Sequence, residues 1–127
     1  MTDMGIYHTT IDVATLGQPD ARHRVESVMV DTGSEYSWLP AERLAEIGVV
    51  PVRIDRFETA DGRILERPVG YMMVFAGGRE APTVVAFAQP GDMILLGALA
   101  LEGMNLRVDL MRRELVPAGP LPAAAAA

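Results

Sequence analysis

The sequence predicts an all-β domain carrying one or two short helices. Twelve glycines and nine prolines are spread along 127 residues, the punctuation of many short strands joined by turns. Between them lie brief apolar, β-branched runs such as Val25-Glu26-Ser27-Val28-Met29-Val30, too short for ordinary helices. Ala60-Asp61-Gly62 separates two strand-like stretches, and Asp-Gly in that setting is a hairpin signal. Apolar residues make up 50% of the chain, enough for one core at this length.

The elements follow in order. Gly5 to Val13 reads as a strand, and Gly17-Gln18-Pro19-Asp20 as a turn. Val25 to Val30 is a buried strand that stops at a polar loop, Asp31-Thr32-Gly33-Ser34. Ser37-Trp38-Leu39 is a short strand. Pro40 suits the first turn of a helix over Ala41 to Ile47, with Leu44 and Ile47 at helical spacing and Gly48 as its stop. Val49 to Thr59 and Arg63 to Phe75 form the hairpin around Ala60-Asp61-Gly62. Gly77-Gly78 turns the chain into a strand over Ala81 to Ala88, which Gln89-Pro90-Gly91-Asp92 ends. Met93 to Leu96 is a short buried strand closing at Gly97, and Ala98 to Met104 suits two helical turns. Leu106 to Leu110 and Glu114 to Val116 are the last strands. Residues 1–117 are read as the domain and 118–127 as a Pro/Ala tail whose terminal alanines are too few to hold a helix.

Composition excludes several function classes. The net charge is -6, so no basic field exists for a nucleic acid. There is no cysteine, hence no disulfide, thiol chemistry or cysteine-ligated metal. Two histidines, His8 and His23, are too few for a histidine metal cluster. No apolar run reaches the roughly 20 residues of a membrane span. Met1 to Gly5 lacks the basic and apolar regions of a signal peptide, so a cytoplasmic location is expected. No cofactor or metal is expected.

The chemistry-bearing segment is Val30-Asp31-Thr32-Gly33-Ser34. A carboxylate stands where an apolar strand ends, followed by a hydroxyl and a glycine. Asp-Thr-Gly alone arises by chance in roughly one of fifty chains of this size, and a polar turn is its bland explanation. Two further features strengthen it: the Asp-Gly hairpin, and Ile94-Leu95-Leu96-Gly97 followed by a helical stretch.

This order resembles the retropepsin family, single-domain relatives of the pepsin-like aspartic proteases. Trp38-Leu39-Pro40 after the loop resembles the bacterial stand-alone members most. The likeness runs from about Ile6 to Val116. It implies a retropepsin-like acid-protease barrel that is active as a symmetric homodimer. It also implies an endopeptidase cutting a peptide or protein substrate. In that reading Asp31, Thr32 and Gly33 form the catalytic loop. Ser34 neighbours the dyad, and Ala60, Asp61 and Gly62 form the tip of a substrate-covering flap. The chain has one Asp-Thr-Gly, so a second Asp31 has to come from a second chain. Two carboxylates about 3 Å apart cannot both ionise and so share a proton. Activity is therefore expected to follow a bell with pH, with an optimum at roughly pH 4–6.

The sequence departs from the family in three places. Ala98 stands after Gly97 where retroviral members carry arginine, so Glu35 is left to pair with Arg107 or another arginine. Asp61 and Arg63 make the flap tip polar, and the Pro/Ala tail is unlike an interface strand. A retropepsin-fold module that binds peptide or dimerises without cutting is the main alternative, and an unrelated small β-barrel with a chance motif is the third reading. Other residues read as structural. Trp38 is expected under the catalytic loop, Asp55, Glu58 and Asp61 on a solvated hairpin face, and the eight methionines as core filler.

Overall fold

The computed structural model describes residues 6–124. The expected strand start at Gly5 and alanines 125–127 lie outside them. Strand makes up 49% and helix 12%, so the chain is β-dominated, with two short helices. The strands are β1 (His8–Ala14), β2 (His23–Val30), β3 (Ser37–Pro40), β4 (Arg53–Glu58), β5 (Ile64–Ala76), β6 (Arg79–Ala88), β7 (Leu95–Leu96), β8 (Leu106–Asp109) and β9 (Glu114–Pro117). Helix α1 (Ala41–Ile47) follows β3 and α2 (Ala98–Met104) follows β7.

The main sheet runs β1-β2-β7-β3-β6-β5-β4. A further pairing of β1 with β5 curls it into a ring. β2 and β7 are parallel, β3 and β6 are parallel, and the β1–β2 and β5–β6 pairs are antiparallel. β8 and β9 form a separate two-stranded ribbon.

β5 organises this sheet. One edge pairs with β6 from Val69 to Ala76. The other edge is divided: Ile64 to Val69 pair with β4, and Met73 to Phe75 pair with β1. From Pro68 outward, therefore, β5 has only β4 as a partner. Residues 54–68 stand off the ring as a two-stranded arm. Gly70 sits buried at the changeover, where a β-carbon would come 2.6 Å from the Val50 carbonyl oxygen.

Inside the ring, Ile11, Val13, Val28, Leu39, Leu44, Met72, Val74, Val85, Leu96 and Met104 form the core. The apolar residues of β2 do not alternate regularly. Val25, Val28 and Val30 are buried while Glu26 and Ser27 are exposed. A bulge resolves this: Thr9 pairs Val28 but Ile11 pairs Val25, so β2 holds one extra residue. Ser27 takes φ 57° there, a conformation such bulges use. The slip brings Val28 and Val30 back to the inner face and so sets the phase in which Asp31 leaves the strand.

The local stop signals act as expected. Pro40 stands one residue before α1, at the end of β3 rather than in the helix's first turn, and Gly48 ends the helix with φ 102°, the left-handed cap that glycine accommodates without a β-carbon clash. Asn105 ends α2 at φ 53°. After β9 no regular structure occurs to residue 124. Ala118 N–H donates to the Asn105 carbonyl at 2.9 Å, and Asn105 Nδ2 donates to the Gly119 carbonyl at 3.0 Å. No helix among the described residues is long and apolar enough to cross a membrane.

Candidate active site

Asp31 is the first residue past β2, and backbone bonds fix where it emerges. Val30 pairs Leu96 on β7, and Asp31 N–H donates to the Leu96 carbonyl at 3.0 Å. Ser34 N–H turns back to the Asp31 carbonyl at 3.3 Å. Gly33 N–H donates to Asp31 Oδ1 at 2.9 Å. A β-carbon on Gly33 would lie 3.1 Å from that same oxygen, so glycine lets the amide reach the carboxylate.

The second half of the loop is zipped to the start of α2. Ala98 N–H donates to the Ser34 carbonyl at 2.7 Å and Leu99 N–H to the Glu35 carbonyl at 3.1 Å. These bonds satisfy two of the amides that every helix start leaves unpaired, and α2 has no side-chain cap. Gly97 N–H donates to Ser37 Oγ at 3.0 Å, in the interior. A β-carbon on Gly97 would lie 2.8 Å from the Glu35 carbonyl oxygen and still closer to that of Tyr36. Only glycine fits, which gives Leu95-Leu96-Gly97 a steric reason.

Across from this loop stands the arm. Tyr36 and Trp38 meet Phe57 of β4 edge-on, with ring centroids 5.5 and 4.7 Å away. Trp38 therefore supports the arm, and it also lines the cleft together with Asp31, Gly33 and Ser34. Tyr36 and Trp38 also close over a small second core of Val69, Val84 and Ala86.

Asp55 is likewise not on a solvated face. It is half-buried, accepts from Arg53 Nε at 2.8 Å and accepts from the Tyr36 hydroxyl at 3.1 Å. The Arg53 bond, reinforced by Tyr36 against a desolvation cost, lowers the Asp55 pKa. Arg67 Nε and Nη2 bind Asp92 at 2.7 and 3.0 Å, and the Gln89 N–H also donates to Asp92, at 2.8 Å. This ties the base of the arm to the β6–β7 turn. The Arg67 bonds first, then the Gln89 amide, hold Asp92 below its usual pKa despite partial burial.

Loop and arm enclose a cleft of about 880 Å³, within the range of ligand sites. Asp31, Gly33, Ser34 and Ala60 line it, with Trp38, Phe57, Leu65 and Met93 among its apolar walls. Thr32 is exposed and is not part of the lining. Asp61 and Gly62 also lie outside the lining, at the arm's tip. Asp61 binds Thr59 Oγ1 and Arg63, and the Thr59 hydroxyl first, then Arg63, lowers its pKa. Ser34 Oγ donates to the Tyr36 carbonyl at 2.9 Å.

Glu35 is exposed and makes no ion pair with Arg107 or any other arginine among the described residues. His8 is exposed and His23 half-buried. No group of three metal-ligating side chains occurs among the described residues. A smaller cavity of about 530 Å³ lies where β1 and β2 meet the β5–β6 turn, with Arg22, Arg24 and Arg79 balanced in part by Asp12 and Glu80.

Tyr36, Arg67 and Asp92 carry no motif, because the pairs Tyr36–Asp55 and Arg67–Asp92 are 19 and 25 positions apart, and Asp55 reads from sequence only as part of a solvated hairpin face. A polar residue on the inward phase of the β4 strand was the one available signal for Asp55. No family model matches this chain, and no curated protein matches it.

Proposed function

We propose that the chain is an aspartic endopeptidase of retropepsin type, in which two copies each contribute Asp31 to one site. The observation that carries this reading is the Asp31 loop itself. Its carboxylate faces a cleft roofed by a hairpin arm, and its backbone is zipped to Leu96–Gly97 and the start of α2. A polar turn serving only to reverse the chain needs neither the cleft nor that zipper.

In this mechanism a water lies between the two Asp31 carboxyls. The ionised one takes a proton from the water, whose oxygen attacks the scissile carbonyl carbon. The protonated one donates to the carbonyl oxygen as it gains charge. Collapse of the tetrahedral intermediate delivers a proton to the leaving nitrogen and breaks the C–N bond, so no metal or cofactor is required. Exposure of Thr32 at the loop crest suits contact with the same loop of a second copy. The apolar walls at Trp38, Phe57 and Leu65 suit an extended peptide with apolar side chains, and residues 59–63 of the arm serve as the flap.

Asp31→Asn tests the assignment. The change is nearly isosteric, but an amide can neither take the water's proton nor share one. Purified wild type is expected to cleave a peptide library and Asp31→Asn to show no cleavage above background, with unchanged circular dichroism. Equal cleavage by both proteins would remove Asp31 from the chemistry. Peptide binding without cleavage by the wild type would favour the non-catalytic module.

A further inference from the structure

Tyr36 links the Asp31 loop to β4. Its carbonyl accepts from Ser34 Oγ, two residues along the Asp31 loop. That same carbonyl occupies the space a side chain at Gly97 would need. Its ring meets Phe57 of β4. Its hydroxyl donates to Asp55 Oδ2 at 3.1 Å, and Arg53 Nη2 lies 3.3 Å from it. Arg53 continues the chain, holding Asp55 Oδ1 at 2.8 Å and donating to the Tyr71 hydroxyl on β5 at 2.9 Å. One connected network thus joins the Asp31 loop to the β4 strand of the arm and, through Arg53 and Tyr71, to the ring at the arm's base.

The arm needs such a tether. Beyond Val69 its two strands pair only with each other, and an isolated two-stranded hairpin is marginal in water. Bonds at the tip run between tip residues: Thr59 with Arg63, Gly62 with Thr59, and Asp61 with Thr59 and Arg63. They shape the turn without anchoring it to the ring. At the base, Arg67–Asp92 fixes the arm to the β6–β7 turn. Among the described residues, the Tyr36 network and the packing of Phe57 against Tyr36 and Trp38 join it to the chain that leaves Asp31.

We propose that the Tyr36–Asp55–Arg53–Tyr71 network is a latch that sets the height of the arm over Asp31, making Tyr36 and Asp55 positioning residues for peptide binding. The reference to hydrolysis rests on the proposed protease function; the latch itself does not. The network acts on the arm, so its loss alters how tightly substrate is covered and leaves the reacting groups in place. That is a KM effect more than a kcat effect.

Two variants test it in the 127-residue chain. Tyr36→Phe removes only the hydroxyl and keeps the ring on Phe57. Asp55→Asn keeps the shape but offers one acceptor oxygen where two are used. In each, hydrogen exchange of amides 54–68 is expected to accelerate about tenfold, while β1, β2 and β7 keep wild-type protection. With a peptide that the wild type cleaves, KM is expected to rise several-fold and kcat to stay within about twofold. Unchanged arm exchange in both variants would overturn the latch, as would acceleration spread evenly over arm and ring. If the wild type cleaves no peptide, the protease reading fails separately, and the exchange result still decides the latch.

Discussion

The Asp31 loop and the arm face each other across one cleft, yet they are held by different bonds. The loop is held by main chain: Asp31 N–H to Leu96, Ala98 N–H to Ser34, Leu99 N–H to Glu35, and Gly97 packed without room for a β-carbon. The arm is held by side chains: Tyr36 and Arg53 on Asp55, Arg67 on Asp92, and Phe57 against Tyr36 and Trp38. Main-chain bonds inside a ring open only when the sheet opens. Side-chain bonds at a partly exposed surface open locally and cheaply. The proposed peptidase function calls for that division, with a carboxylate held fixed while a polymer is admitted, and the arm is the part suited to move.

The comparison is broken most severely from the loop side. Gly97→Ala drives a methyl into the Glu35 and Tyr36 carbonyls, neither of which can move without unzipping the loop from α2. A loss of about 3 kcal/mol or more is expected by chemical denaturation, with overpacking as the mechanism. A variant as stable as wild type would show that the zipper is not tight.

Next in size is the base of the arm. Arg67 and Asp92 are 18% and 11% exposed, so removing the charge of one leaves the other poorly satisfied. Asp92→Asn is expected to cost about 2 kcal/mol at pH 7. The sign with pH follows from the lowered Asp92 pKa. The contribution is fully present above the unfolded aspartate value of about 3.9 and is lost as pH falls through the lower folded value. Denaturation of wild type and variant should therefore converge as pH falls below the lowered folded-state value of Asp92. A gap that does not narrow as pH is lowered through the carboxylate range would remove the ion pair as its cause. The same loss sets in where the acid limb of the rate would lie, so stability has to be measured beside any pH–rate profile.

A milder test concerns motion. Amides of residues 59–63 are expected to exchange far faster than those of β2 and β7, and to slow when a peptide inhibitor binds. Equal protection of tip and ring in the free protein would contradict the division drawn above. The smallest effect is expected in the ring itself. Thr83 is 6% exposed and its hydroxyl has no partner among the described residues, so Thr83→Val should be neutral or stabilising by up to about 1 kcal/mol. A clear destabilisation would show that the hydroxyl is satisfied in solution.

What was legible in the sequence divides along similar lines. Helix α1 could be bounded to the residue because its signals are local: Pro40 at the start, Gly48 at the end, Leu44 and Ile47 between. The hairpin tip was marked by Asp61-Gly62, where Gly62 takes φ 85°. The bulge in β2 was not legible, because Ser27 is an unusual residue for a left-handed position and nothing beside it marks the slip. Nor was the split edge of β5, since one long apolar strand reads the same whether it pairs with one neighbour or two. The Asp31 loop could be found because its residues are contiguous. Tyr36 and Asp55 are 19 positions apart, and only the fold brings them together.

The central claim is that one site needs an Asp31 from each of two chains, and subunit mixing measures that most directly. Wild-type protein at constant concentration is titrated with Asp31→Asn protein under conditions that allow exchange of subunits, and peptide cleavage is followed. Mixed dimers carry one carboxylate and one amide, so activity is expected to fall as the square of the wild-type fraction once activity is expressed per total chain. Dilution of the wild type alone should lower specific activity as dimers dissociate. Activity per wild-type chain that is indifferent to excess Asp31→Asn, in protein shown by sedimentation to exchange subunits or to be monomeric, would contradict the shared site.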